Sequence, residues 1–281
     1  MNFSIKENIQ IDKIVEQSLL EDIGTGDITT NFIIPSNLKA KGIIKTSEEG
    51  VVAGLDIVCL VFKKLDSEIC FQSKIKDGKK ILAEEVLAEI TGSAQTILKG
   101  ERVALNFLQR MSGIATITSK FCREVKDFPV RIVDTRKTTP GLRILEKYAV
   151  RMGGGHNHRF GLYDAVLIKD NHLALAGGVK PAIKSVQKLI PHTTKIEIEV
   201  EDLSQLEEAL KMQVDIIMLD NMDLDTMKEA VKMAKGKALI ETSGGITLEK
   251  VREIAQTGVD LISVGSLTHS VKALDISMEI I

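Results

Sequence analysis

Tryptophan is absent from this 281-residue chain, and aromatic residues make up only 4% of it. Proteins that grip single-stranded nucleic acid stack its bases on aromatic faces, so that class is excluded. An excess of charge of one sign is missing too: 37 basic and 39 acidic side chains leave -2 at pH 7, with a pI near 6.3. A general nucleic-acid binder would show a basic domain or stripe. Cysteine is scarce, and Cys59, Cys70 and Cys122 form no CxxC pair. An odd number without metal or redox spacing reads as reduced, mostly buried thiols, which places the chain in the cytoplasm. The N-terminus has no basic segment followed by an apolar core and cleavage site, so no leader is expected. The longest apolar run, Val51 to Phe62, is broken by Asp56 and is too short to span a bilayer, so no membrane partner is expected. No GxxxxGK[ST] occurs, which excludes a P-loop.

What is present points to a soluble globular chain of one large or two moderate domains: 44% hydrophobic and 27% charged residues of mixed sign. Positive charge is concentrated between Ile132 and His172. Arg136, Lys137, Arg143, Lys147, Arg151, Arg159 and Lys169 outweigh Asp134, Glu146, Asp164 and Asp170 there, leaving +3 before His156, His158 and His172 are counted. Gly141, Gly153, Gly154, Gly155 and Gly161 allow backbone to approach a ligand closely. Short apolar strands lead into Arg136-Lys137 and into Lys169. Cations at two strand ends with a glycine-rich loop between them suggest a pocket for a small polyanion.

Along the chain, Ile11, Ile14, Val15 and Leu19 recur at helical spacing in an amphipathic opening helix over 8–20. EDIGTGDITT follows as a turn capped by Asp side chains. Residues 39–92 read as strand, helix, strand, strand, a small α/β layer. A long helix is expected over 94–125, with Gly100 and Ser112-Gly113 as potential breaks, and Val103, Phe107, Leu108 and Met111 on its apolar face. Arg102 lies off that face. A domain boundary is expected near 110–128. Beyond it, β-branched segments at 131–135, 165–169, 195–200, 215–220, 238–243 and 260–265 alternate with amphipathic helical patterns, the rhythm of parallel βα units. Six strands are fewer than a closed eight-stranded barrel, although 176–190 or the glycine loop has room for another. The expectation is an incomplete barrel.

In βα barrels the chemistry sits where strands end. Here those ends are Thr135-Arg136-Lys137, Lys169-Asp170-Asn171, Glu199, Asp220-Asn221, Ser243-Gly244-Gly245 and Val264-Gly265-Ser266. Glu199 or Asp220 alone would more often be a cap or an ion-pair partner; together, six polar or glycine-rich strand ends indicate a site. SGGI and VGS expose consecutive backbone N–H groups suited to phosphate. Two carboxylates among cations would be explained by a neighbouring Mg²⁺ or by ribose hydroxyls. His156-Asn157-His158 would be half a zinc site if barrel carboxylates completed it. With no HExxH or Cys pair, it fits better as hydrogen-bond donors of an anion site beside Arg151 and Arg159.

The segments DTRKTTPGLR, EKYAVRMGGGHNHRFGL and LIKDNH resemble the quinolinate phosphoribosyltransferase family. The similarity extends to EDIGTGDITT, ERVALNFLQRMSGIAT, IEIEVED, IMLDNM, ETSGGI and VGSLTHS, and so to nearly the whole chain. The resemblance implies an α/β fold: an N-terminal α/β sandwich-like domain over 1–112 and an open, incomplete α/β barrel over 113–281, whose C-terminal segment returns to the first domain. It implies conversion of quinolinate and phosphoribosyl pyrophosphate to nicotinate mononucleotide, pyrophosphate and CO₂ with Mg²⁺, by a homodimer or hexamer. Arg136, His158 and Arg159, with Thr135, would hold the quinolinate carboxylates. Lys137 and Lys169 would lie between the two substrates, and Arg102 would come from the neighbouring subunit. Glu199 and Asp220 would hold ribose hydroxyls and metal, making them catalytic with the two lysines. Ser243, Gly244, Gly245, Val264, Gly265, Ser266 and His269 would cradle phosphates. Two rivals remain: a relative that uses nicotinate without decarboxylation, and a non-catalytic anion binder on the same barrel.

Overall fold

The structure, a computed structural model, describes residues 5–281, with side chains from Glu7 onward. In chain order the elements are α1 (Ile5–Ile23), α2 (Ile28–Ile33), β1 (Lys39–Thr46), β2 (Gly50–Val51), α3 (Leu55–Leu65), β3 (Cys70–Ser73), β4 (Lys80–Ile81), β5 (Val86–Ser93) and α4 (Ala94–Glu124). Then come β6 (Arg131–Val133), α5 (Arg143–Met152), β7 (Val166–Ile168), α6 (Asp170–Ala176), α7 (Val179–Gln187), β8 (Ile196–Val200), α8 (Leu203–Lys211) and β9 (Ile216–Asp220). The chain closes with α9 (Leu224–Ala234), β10 (Leu239–Ser243), α10 (Val251–Gln256), β11 (Leu261–Ser263), α11 (Ser266–His269) and β12 (Ile276–Ile280). Two compact units interleave along it: residues 1–119, 138–154 and 267–281 in one, 120–137 and 155–266 in the other.

The first unit is built on an antiparallel sheet of order β12-β1-β5-β3, in which the C-terminal strand pairs with β1, Ile44 opposite Met278. In α1, Ile11, Val15 and Leu19 are buried, as their spacing requires. Asp27 caps α2 by accepting the N–H of Thr30 at 2.9 Å, so the EDIGTGDITT turn is capped as expected. The long helix α4 has no break at Gly100 or Ser112-Gly113, contrary to the sequence expectation. The reason is close packing: a Cβ on Gly100 would lie 2.7 Å from the Phe62 ring, and one on Gly113 would collide with the Lys272 carbonyl oxygen. These glycines admit neighbours rather than end the helix. Arg110 donates from Nε to buried Glu146 (2.9 Å), whose other oxygen accepts the Thr139 N–H (3.1 Å), tying α4 to the start of the segment leading into α5.

The second unit is a six-stranded, wholly parallel sheet of order β6-β11-β10-β9-β8-β7. Each expected barrel strand forms within a residue or two of its predicted bounds. Their short β-branched runs are buried, and helices supply the crossovers that parallel pairing demands. β6 and β7 end the row without pairing to each other, so the barrel is open. Residues 176–190 hide no strand, being mostly α7; the glycine loop instead adds one parallel bridge, Val133 to His156. Among the described residues no helix is long and apolar enough to cross a membrane.

Candidate active site at the strand ends of the open barrel

Within the second unit, the parallel strands deliver their C-terminal residues to one end. Thr135 Oγ1 accepts the Lys137 N–H (3.0 Å), bending the chain after β6 so that Arg136 and Lys137 are exposed. Asp134, wholly buried just before them, accepts the His158 N–H (2.9 Å) and the Asn157 side-chain N–H (2.5 Å). The end of the glycine loop is thereby fastened to the end of β6. Arg159 follows, half-buried, its Nη1 donating to the Ala165 carbonyl (3.0 Å) and its buried Nε left without a partner. Burial and then the Arg136 guanidinium push the Arg159 pKa below its ordinary value, opposed by Glu197 and Asp164. The Arg136 charge thus adds to burial in disfavouring the Arg159 cation, a cost that a bound anion would relieve.

Lys169 caps α6 and pairs with Glu199 across neighbouring strands β7 and β8. On the next strand, Asp220 ends β9 and accepts from Asn221 Nδ2 (2.9 Å). Asn221 adopts φ +52° and donates its N–H to the Ser243 carbonyl (3.1 Å), which locks the β9 end to the β10 end. Gly244 and Gly245 follow Ser243 with φ of +101° and +58°, a turn that side-chain-bearing residues rarely adopt. Val264 is buried and its N–H goes to the Val133 carbonyl (2.9 Å). Gly265 and Ser266 are half-buried after it. Arg102 and His269 belong to the other compact unit. Arg102 is exposed on α4 with its guanidinium 3.9 Å from Glu101, and the His269 Nδ1 lies 2.6 Å from Ser270 Oγ.

Sequence reasoning missed the groups behind these ends. Glu197 and Glu241 are almost wholly buried, and the Ser263 hydroxyl donates to Glu241. His158 Nε2 lies 3.0 Å from Glu197 and 3.6 Å from Glu241. Each acid sits two residues before a strand-end site residue, Glu199 or Ser243, hence on the same face. The signal was the spacing of two residues between each acid and a strand-end site residue. Burial, then the nearby Glu197, raises the Glu241 pKa to about 7, against the pull of His158, Ser263 and Lys169.

This raised value has a sign. Unfolded, Glu241 titrates near 4.5, so between there and about 7 the folded chain holds a proton that the unfolded chain releases. The contribution to stability is full below 4.5 and is lost as pH rises through about 7. Glu241→Gln, a neutral isostere, is expected to gain in Tm relative to the wild type from pH 5 to pH 8. Thermal unfolding of both proteins across that range checks it, and a Tm difference independent of pH would contradict the shift.

Arg159 Nε, buried without a partner, calls for anionic company, and a positive-φ glycine turn suits phosphate. A barrel that joins both at its strand ends belongs to the class of enzymes acting on small, anionic, phosphorylated substrates. Similarity to known proteins narrows the class. The family model for the quinolinate phosphoribosyl transferase C-terminal domain matches residues 114–279, and that for the N-terminal domain matches 27–112. The chain is 47% identical over 273 residues to a probable nicotinate-nucleotide pyrophosphorylase (carboxylating) of Bacillus subtilis (strain 168), covering 97% of this chain and 94% of that protein. It is 45% identical over 278 residues to a protein of the same description from Methanocaldococcus jannaschii, covering 96% of each. The crystal structure of NadC from Streptococcus pyogenes superposes with a TM-score of 0.95 at 43% identity, over 99% of this chain and 98% of that one. The chain belongs to the quinolinate phosphoribosyltransferase family.

Proposed function

We propose that the chain transfers the phosphoribosyl group of phosphoribosyl pyrophosphate to the ring nitrogen of quinolinate, giving nicotinate mononucleotide, pyrophosphate and CO₂ for NAD biosynthesis. The observation that carries this reading is the buried Arg159 Nε left without a hydrogen-bond partner, in the same unit as strand ends that carry Arg136, Lys137 and Lys169. Quinolinate is a dianion and the sugar donor a polyanion, so bringing them together requires cations that offset their repulsion. Thr135, Arg136, His158 and Arg159 form the dicarboxylate subsite, and guanidinium forks fix the ring's orientation. Holding the ring nitrogen in line with the sugar C1 can lower the barrier by ~7–11 kcal/mol in favourable cases. Lys137 and Lys169 stand between the substrates and stabilise the charge that grows as pyrophosphate departs. Ser243, Gly244, Gly245, Gly265 and Ser266 cradle phosphate, with Val264 as their backing.

Once the ring nitrogen is alkylated, its positive charge stabilises the electron pair left on the adjacent carbon as CO₂ leaves. That carbon then takes a proton. No residue has to act as a strong base.

Glu199 and Asp220 present hard carboxylate oxygens from neighbouring strand ends, a donor set that suits Mg²⁺ completed by water and phosphate oxygens. When bound, Mg²⁺ supplies charge neutralisation to the leaving pyrophosphate. The same carboxylates are placed to accept from ribose hydroxyls, and Lys169 holds Glu199 in position for either duty.

A homodimer, or a hexamer of such dimers, is supported by large apolar side chains left exposed: Ile28 and Phe32 on α2, and Leu162, Tyr163 and Leu175 around a groove of about 800 Å³ beside Arg159. Arg102 reaches the neighbouring subunit's site. Mixing inactive Arg102→Ala protomers with inactive Lys137→Ala protomers is expected to recover about a quarter of wild-type activity, since half the dimers carry one intact site. No recovery would return Arg102 to its own chain's site. A cytoplasmic setting agrees with three cysteines outside any disulfide; cell fractionation tests it.

The deciding assay incubates pure protein with quinolinate, phosphoribosyl pyrophosphate and Mg²⁺, with nicotinate as control. One CO₂ per nucleotide from quinolinate and none from the control is expected. Nucleotide formed from nicotinate without CO₂ would favour the non-decarboxylating rival, and no product at all would favour a binding protein.

A further inference from the structure

Three residues of the glycine loop run beside the end of β6 as a short extra rung. His156 donates its N–H to the Ile132 carbonyl (2.9 Å), and its own carbonyl accepts the Asp134 N–H (3.1 Å). The wholly buried Asp134 carboxylate continues the rung: Oδ1 accepts the His158 N–H (2.9 Å) and Oδ2 accepts from Asn157 Nδ2 (2.5 Å). Asn157, which the sequence offers as a donor to an anion, thus gives an amide N–H to Asp134. The position requires a group that only accepts. A carboxylate meets two donors with two oxygens, whereas an amide would turn an N–H toward one of them. Asp134 grips His158 through the main chain alone, so nothing in this pin depends on the charge of the ring. Arg136 follows Asp134 by two residues and Arg159 follows His158 by one, which places the pin at the root of both guanidinium-bearing segments.

We infer that Asp134 and Asn157 are positioning residues: their pairing sets the placement of Arg159 relative to Arg136, and with it the fit of a ring that carries two adjacent carboxylates. The inference rests on the quinolinate reading above and adds to it the place where the dicarboxylate preference is set. Main-chain bonds at His156 fix one point of the rung, and the two oxygens of Asp134 fix the next two, which leaves the segment no freedom to tilt. Tilt matters because a guanidinium fork pairs with a carboxylate only near its own plane. A shift of about 1 Å in a group that orients a ligand costs up to ~100-fold. A ligand with one carboxylate needs only one fork and is indifferent to the distance between two.

The test uses benzene-1,2-dicarboxylate, which has both carboxylates but lacks the reacting nitrogen, with benzoate as the single-carboxylate control. Binding to the full chain is read by calorimetry. The wild type is expected to bind the dicarboxylate at least ~10-fold more tightly than benzoate, and a wild type without that preference overturns the inference. Asp134→Asn sets a donor against a donor and is expected to weaken dicarboxylate binding ~10–100-fold, with benzoate within about threefold. Asn157→Asp alone sets two carboxylates face to face and is expected to weaken it likewise. Asp134→Asn combined with Asn157→Asp rebuilds the pair with its polarity reversed, and is expected to return Kd to within about fivefold of the wild type. A dicarboxylate Kd within about threefold of wild type in Asp134→Asn overturns the inference, as does an equal loss for benzoate. So does a double variant that regains Tm without regaining affinity, since the pair would then be structural only. Should Asp134→Asn not fold, Asn157→Ala decides, because it leaves the His158 bond in place: a Kd raised about threefold or more supports the inference and a smaller change overturns it. A wild type that binds the dicarboxylate tightly but does not convert quinolinate would refute the functional reading alone, because the binding measurement needs no turnover.

Discussion

Arg136→Ala is expected to lower kcat/KM for quinolinate by about 10²–10³-fold, a loss of ~3–4 kcal/mol in transition-state binding. The magnitude follows from removing two charge-assisted hydrogen bonds to a carboxylate, each worth roughly 1.5–3 kcal/mol, less what water restores at an exposed residue. The same substitution is expected to leave Tm unchanged or higher. Arg136 is exposed, and after burial its charge is the next cause that lowers the Arg159 pKa, so alanine removes one repulsion from the fold. Loss of activity with retained stability separates a substrate clamp from a structural ion pair. Arg136→Lys is expected to restore only a small part of the activity, because an ammonium cannot pair with a carboxylate through a fork. Affinity for phosphoribosyl pyrophosphate, measured alone by calorimetry, is expected to stay within about threefold of wild type. Near-normal turnover in Arg136→Ala would remove the clamp from the mechanism, and a large drop in Tm would recast Arg136 as structural.

Much of the barrel was legible because its information is local. Segments such as 215–220 and 224–234 carry their own period, β-branched and short or amphipathic and long, and each formed the expected element at nearly the expected bounds. The polar strand ends were legible for the same reason, since each follows directly on an apolar run. What stayed hidden depended on neighbours distant in sequence. Gly100 and Gly113 read as helix breaks only until Phe62 and Lys272 are seen against them. Glu197 reads as one more charge in IEIEV until His158, from a loop nearly forty residues earlier, is seen at its carboxylate. The hydrogen bond from Val264 N–H to Val133 also joins segments far apart in the chain, and nothing in VGS announces it. The interleaving of Thr138–Gly154 with the first unit likewise has no signature in composition.

Gly244→Ala tests the other half of the site and is expected to be nearly as damaging as loss of Arg136. Two separate strains coincide at this residue. Its φ of +101° lies where an L side chain is disfavoured, and a new Cβ would fall 2.6 Å from Asn221 Cγ and collide with Oδ1. The obstructing amide cannot simply swing away, because Asn221 is itself at φ +52°, bonds Asp220 through Nδ2 and bonds the Ser243 carbonyl through its main chain. Relief would come by releasing Asp220 or by reshaping the glycine turn, and either disturbs the groups assigned to ribose and phosphate. KM for phosphoribosyl pyrophosphate is therefore expected to rise at least ~10-fold and kcat to fall by a similar factor, while quinolinate affinity moves little. Gly245→Ala supplies the comparison, since its φ is also positive but nothing lies within 4 Å of the added methyl. It is expected to show only the backbone strain, on the order of 1 kcal/mol, and a correspondingly smaller kinetic effect. If the two alanine variants behaved alike, contact with Asn221 would not matter, and the coupling of the glycine turn to Asp220 would have to be abandoned. If Gly244→Ala instead raised the quinolinate KM alone, the division of the strand ends into a carboxylate half and a phosphate half would be wrong.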